Sequence, residues 1–529
     1  MEMTATQMEP MLSPAQLAPG HKIALFAILA FGQFMALLDI QIVAASLSQI
    51  QAGLSAGADE IAWVQTAYLM AEVVMIPLSG FLNQALSTRW LFALSAGLFT
   101  LSSLACGLAT NLETMIICRA IQGFVGGAMV PTVFATGFAM FSGPQQRLIP
   151  AILGLVSTLA PTLGPSLGGY LTDALSWHWL FFINIIPGCA ITIGVILLGR
   201  IDRPNLALLA RIDWLHLASL AVSLGALQYM LEEGPRHDWF QDPDVISAAW
   251  ISFIGALVFF ERSIFSAMPI VSLTPLANPT FVIACVLNFV IGFGLYSSTY
   301  LSPVFLTAVR NYSSQDIGAT VFVAGIFMFF GAPIAARLSG SVDPRKVIAA
   351  GFSLFAFSLW LMSGITANWG FWELFAPQAV RGFSLLLCIV PAVGLSLATV
   401  PQAQLKAASG LFNLTRNLGG AVGIALVNTW LGDFTRWHAL RLGEAMGANG
   451  ANDGAQALGQ IVASHIPDPA LAALMVQGEL TRVVTPMVMA QGFEDVFTLM
   501  AGLFVVALIM VPLCRMPALA AAQSNPDAH

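Results

Sequence analysis

The stretch Gly154-Leu-Val-Ser-Thr-Leu-Ala-Pro161-Thr-Leu-Gly164-Pro165-Ser-Leu-Gly168-Gly169 decides how the chain folds. It lies inside an apolar run, about residues 149–172, that carries no charged side chain. In water, two prolines and four glycines so close together would break a helix. In lipid they are tolerated, because neighbouring helices and local adjustments satisfy the backbone groups that are freed. The glycines also leave a smooth face on which another helix can approach closely. The spacing therefore predicts a membrane helix that bends and touches its partners tightly, in preference to a helix with incidental packing glycines.

The composition around it agrees. Of 529 residues, 57% are hydrophobic and only 9% charged, against roughly 25% charged in a soluble domain. Alternating ten-residue strand patterns are missing, which argues against a β-barrel, so the expected fold class is an all-α integral membrane protein. Apolar runs of about 20 residues, the length that crosses a bilayer, occur fourteen times, from 23–46 to 495–515. The first is too long for a signal-peptide core and contains Asp39, so it reads as a first transmembrane helix. The six cysteines lie in or at the ends of apolar runs without paired spacing, as small buried hydrophobes do.

Lys and Arg set the expected orientation. With the N-terminus in the cytoplasm, inside loops hold Lys22, Arg89, Arg147, Arg200, Arg345 and Lys406 among others, whereas Glu60, Glu232, Glu233 and Asp238 fall outside. An even helix count returns the C-terminus to the same side, so both termini are expected in the cytoplasm. The halves of the chain also resemble one another. Gly107-Leu-Ala-Thr-Asn111 with Arg119 matches Gly364-Ile-Thr-Ala-Asn368 with Arg381, and Gly164 to Gly169 has a looser counterpart in Arg416-Asn-Leu-Gly-Gly420. A repeated six-helix unit marks a secondary transporter with its substrate site between the halves. The expected layout is a cytoplasmic tail (1–22), an N-terminal six-helix half (23–199), a linker with two inserted helices (200–278), a C-terminal six-helix half (279–515) and a second cytoplasmic tail (516–529). The C-terminal half includes a long outer loop, 431–494, broken by the Gly-rich stretch from Gly443 to Gly454, with helical periodicity of mixed polarity in 455–465 and 469–491, and its size suggests a docking or capping role.

Ionisable residues inside membrane helices are functional candidates. Asp39, in Met35-Ala-Leu-Leu-Asp39-Ile-Gln41, is a carboxyl that can take up and release a proton as a cationic partner approaches and withdraws. Arg119, followed by Gln122 and Gly123, is the natural partner, and the alternative is a permanent ion pair locking two helices. Glu72 is a second proton site, a hook for cationic substrates, or a neutral acid bonded to a facing helix. Arg381 and Arg416 precede glycine-containing turns, where an arginine holds an anion or snorkels to a helix end. Gln41, Gln122, Arg416 and Asn417 are candidates for the wall of a substrate cavity. There are no candidate catalytic residues. No phosphate-binding glycine loop, nucleophile elbow or His/Cys metal cluster occurs, so neither ATP, a cofactor nor a metal is expected to drive the protein.

These residues together resemble the fourteen-helix drug:proton antiporters of the major facilitator superfamily, in the EmrB/QacA group and closest to its EmrB-type multidrug efflux permeases. Leu38-Asp39-Ile-Gln-Ile-Val resembles the helix-1 motif, and Arg119-Ala-Ile-Gln122-Gly123 the helix-4 motif whose arginine is implicated in proton coupling. Gly154 to Gly169, with Pro161, Gly164, Pro165 and Gly168, resembles the helix-5 motif of exporters. Trp177-His-Trp179 through Pro187-Gly188, and Ser409 through Gly420, are similar to further signatures. The resemblance implies proton-driven export of hydrophobic or amphipathic compounds from the inner membrane. It also implies an HlyD/EmrA-type periplasmic adaptor and a TolC-type outer-membrane channel as partners. One motif departs: after Gly80 the loop reads Phe-Leu-Asn83-Gln-Ala-Leu-Ser-Thr-Arg89, with asparagine where the family carries an acid that holds the cytoplasmic side closed. Two other readings are a dedicated exporter of one metabolite, of fatty-acid or siderophore type, and a membrane receptor or scaffold with no transport cycle.

Overall fold

The computed structural model describes residues 18–57, 60–146, 148–266, 269–401, 404–448 and 469–514. All regular structure among them is helical. The first crossing, α1, is Pro19–Ala45. Trp63–Gly107 is a single run of 45 residues that changes direction at Ser87, where φ is 74°. At 1.5 Å per residue it would measure about 68 Å, so its arms count as two crossings, α2 (63–86) and α3 (88–107). Next come α4 (Leu112–Met140), α5 (Leu148–Ala174) and α6 (Trp179–Leu198). The inserted pair is α7 (Trp214–Glu233) and α8 (Pro243–Phe265). The second half comprises α9 (Pro279–Ala308), α10 (Ser314–Ser341), α11 (Pro344–Met362), α12 (Phe371–Ala398), α13 (Leu405–Ala448) and α14 (Pro469–Leu508). Among the described residues eleven helical runs are long and apolar enough to cross a membrane, with 63–107 counted once, which agrees roughly with the fourteen apolar runs of the sequence.

The helix-5 glycines show their purpose in the packing. α5 runs as one helix through both prolines. A Cβ on Gly168 would stand 3.0 Å from the Ile42 carbonyl oxygen of α1, so close that the backbone would have to give way. In the second half, Gly419 of α13 presses on the Phe289 backbone of α9 in the same way. Gly123 of α4 against the Tyr68 carbonyl is likewise repeated by Gly382 of α12 against the Ala324 carbonyl of α10. These paired backbone contacts are the internal repeat that the sequence halves share. α5 also crosses to the other half, where Gly154 meets Leu386 and Ile389 of α12.

The expected outer loop is much shorter than its sequence suggests. α13 continues from 430 to Ala448, and α14 begins at Pro469, so helix fills most of 431–494. The segment 449–468, which holds the second half of the Gly443–Gly454 stretch and the 455–465 stretch expected to be helical, lies outside the described residues. At about 66 Å and 60 Å, both helices outrun a hydrocarbon core of about 30 Å. His438 and Asp495, 2.7 Å apart, brace one against the other.

Candidate functional site

Asp39 is fully buried on α1, and Arg119 of α4 is fully buried beside it. Arg119 Nη1 donates to Asp39 Oδ2 at 2.6 Å. The other carboxylate oxygen accepts from Gln122 Nε2 at 3.1 Å and from Asn184 Nδ2 at 2.7 Å. Arg119 also donates to the Val64 carbonyl at 3.2 Å and to Gln122 Oε1 at 2.8 Å, and it lies 4.2 Å from the ring centre of Tyr68. Asn184 is held in turn by Ser103 at 3.1 Å. Buried charges persist only when paired and hydrogen-bonded in this manner. Gln122 serves this cluster, one residue layer behind the wall it was assigned to.

In front of the pair is a cavity of about 480 Å³. Ile40 and Gln41, next to Asp39, line it, as do Gln65, Leu69 and Glu72, which flank Tyr68 along α2. The second half supplies Tyr296 and Tyr300 of α9 and Asn417 and Asn428 of α13. Arg416 faces elsewhere: Nη2 donates to Asn413 Oδ1 at 2.7 Å, and the guanidinium lies 5.7 Å from the Phe134 ring centre of α4. Arg381 is buried in α12, and its Nε and Nη1 have no hydrogen-bond partner among the described residues. The inserted α7 adds Gln228, Leu231 and Glu232, and the turn after it adds Arg236.

At the end of the bundle that carries Lys406, the halves are clamped. Lys406 Nζ donates to Asp202 Oδ2 at 2.8 Å and to the Asn83 carbonyl at 3.2 Å. Asp202 also accepts from the Thr88 backbone N–H, at 3.0 and 3.1 Å to its two oxygens. That amide opens α3 just past the Ser87 kink, where an anion is favoured by the unpaired N–H groups and the dipole. Asp202 thus occupies the position of a clamp acid although Asn83 stands in the motif. Asn83 itself lies within reach of Thr88 Oγ1, 3.1 Å away. Gly80 brings α2 against the Lys406 backbone, where a Cβ would stand 3.0 Å from the carbonyl oxygen, and Ser409 donates to the Pro131 carbonyl at 2.9 Å. Arg89 stays outside this clamp, against Gly199 and Trp90.

A repeated six-helix bundle with a central cavity and a fully buried charge pair defines a secondary transporter. The Major Facilitator Superfamily model matches residues 29–424, and the chain belongs to that superfamily. Over 423 residues it is 43% identical to the colistin resistance protein EmrB of Acinetobacter baumannii, covering 80% of this chain and 83% of that one. It is 28% identical over 495 residues to the multidrug export protein EmrB of Escherichia coli (92% and 94% covered). The fatty acid resistance protein FarB of Neisseria gonorrhoeae is 27% identical over 490 residues (92% and 95%). Within the superfamily, the chain is of the EmrB type. The crystal structure of the human organic anion transporter MFSD10 (TETRAN) shares the fold, with a TM-score of 0.58 at 14% identity over 94% of this chain and 100% of that one.

Proposed function

We propose that this chain exports hydrophobic and amphipathic drugs by antiport against protons, with Asp39 as the coupling carboxyl. The supporting observation is the Asp39–Arg119 pair at zero exposure, one residue from the cavity wall at Ile40 and Gln41. With both termini in the cytoplasm, the Lys406 clamp seals the cytoplasmic end and the cavity, bounded by the turn after α7, belongs to the outward-facing state. Asp39 is then charged and paired, drug has left, and a proton arriving through the cavity neutralises the carboxylate. The pair weakens, Arg119 loses its anchor, and the halves rock about the midplane while α5 keeps contact with α12. Each charge moved down the membrane potential supplies about 2.3 kcal/mol per 100 mV. The proton gradient is the energy source, no cofactor takes part, and the protein is not an enzyme.

The projecting α13 and α14 support a tripartite pump in the inner membrane, with an HlyD/EmrA-type adaptor seated on their ends and a TolC-type channel beyond. Against export of a single fatty acid stands the cavity itself, where Glu72 and Glu232 oppose a carboxylate ligand. Dye accumulation in everted vesicles tests the coupling. Respiration-driven uptake in the wild type and none in Asp39→Asn is expected, and equal uptake in both would move coupling away from Asp39.

A further inference from the structure

The fourteen-helix architecture differs from two six-helix halves by α7 and α8, and these helices hold a fixed position. Tyr229 of α7 lies 5.7 Å from the Trp63 ring of α2, centre to centre. On the other side, Trp239 Nε1, in the turn after α7, donates to Thr429 Oγ1 of α13 at 2.8 Å. α8 backs α7 closely, with Ser252 donating to the Ser223 carbonyl at 3.0 Å and Arg262 paired to Asp213 at 2.7 Å. The insert therefore spans the gap between α2 and α13, one helix from each half, and its inner face becomes the third wall of the cavity.

That wall carries charge. Glu232 lines the cavity and shares a side-chain hydrogen bond with Gln228. On α2, Glu72 lines the same cavity, is 7% exposed and makes no hydrogen bond or ion pair among the described residues, with Arg119 acting on it only at longer range. A carboxylate buried to that extent is costly unless it takes up a proton or a ligand supplies a partner. Arg236 also lines the mouth and attracts Glu232, but its guanidinium is paired to Glu233 at 3.4 Å and is 48% exposed, where solvent screens it and leaves Glu232 only partly compensated. The remaining polar lining is uncharged, and the Tyr296 and Tyr300 rings offer faces to a cation.

We infer that the insert is part of the substrate site: Glu232 of α7 and Glu72 of α2 form a two-carboxylate seat for a bulky organic cation, with Tyr296 and Tyr300 against its apolar body. The inference rests on the drug-export reading and names the substrate class for that cavity. It assigns the insert a role in choosing cargo. The seat lies close to the coupling pair, because Tyr68, one turn before Glu72, stacks on Arg119.

The test is equilibrium binding to purified full-length protein in nanodiscs, with no proton gradient, so that it does not depend on coupling through Asp39. Uncharged Nile red is the fluorescent probe. Tetraphenylphosphonium and tetraphenylborate, alike in size and opposite in sign, are the competitors, and empty nanodiscs correct for lipid partition. Tetraphenylphosphonium is expected to displace the probe and tetraphenylborate to fail. Glu232→Gln and Glu72→Gln should each weaken the cation about tenfold and weaken Nile red by much less. Glu232→Asp should retain most of the binding, and the exposed Asp244→Asn should behave as wild type. Unchanged cation affinity in both Gln variants, equal loss of Nile red, or competition by the borate would each overturn the proposal. Failure of proton-driven uptake in vesicles with normal cation binding would overturn the coupling reading alone.

Discussion

Asp39 accepts three hydrogen bonds from three side chains, and Arg119 reaches its carboxylate, a backbone carbonyl and Gln122 from one planar fork. A lysine carries the same charge but cannot reproduce those directions or the stack on Tyr68. Arg119→Lys should therefore fold yet lose at least about tenfold in respiration-driven uptake, measured in the same everted vesicles. Asp39→Ala should be harsher on stability, because it strands a buried guanidinium at a cost of about 3–5 kcal/mol. A lowered unfolding temperature in detergent is the expected result. The pair was legible in the sequence because a charge inside an apolar run has few innocent explanations. Asn184 and Asp202 were not legible. An amide near a helix end resembles any interfacial residue, and Asp202 meets partners 114 and 204 positions away in the chain, a proximity that no local pattern encodes.

Among the elements, the clamp between the α2–α3 kink, Asp202 and the start of α13 decides which end of the bundle is shut. Asp202→Asn leaves Lys406 without its anion and weakens the cap on α3. The two ends should then exchange more freely. Spin labels replacing Ser142 and Ser341, both exposed at this end on opposite halves, should show a longer-distance population in Asp202→Asn that is minor in the wild type. An unchanged distance distribution would remove Asp202 from the closing device. α5 makes a second prediction. Gly168→Leu drives a side chain into Ile42 of α1 and Ser46 just beyond its end, and overpacking of about 1–3 kcal/mol or more should appear as poor yield and early unfolding. The helix-5 glycines were readable because close approach leaves a compositional trace. The helical periodicity of 469–491 already marks the outer part of α14, but the continuation of α13 to Ala448 was hidden, since a helix that leaves the membrane keeps its hydrogen bonds and loses the apolarity by which it is found.

At the scale of the whole molecule, two six-helix halves enclose the cavity, the insert closes its side, and two long helices stand beyond the membrane. Replacing residues 442–488 with a short Gly-Ser linker should leave vesicle transport intact and abolish drug resistance of whole cells, if those helices seat an adaptor. Equal resistance would assign them a role apart from the pump assembly. α13 links every one of these features. Near its first turn Lys406 grips the opposite half, midway Asn417 and Asn428 face the cavity, and further out His438 braces α14. A rigid rod gripped near one end is a lever. Release of the Lys406 grip, whose cause lies in the transport cycle, becomes a sideways sweep of the far tip, with small tilts at the membrane magnified by the length beyond it. Whatever rests on that tip is informed mechanically of which way the pump is facing.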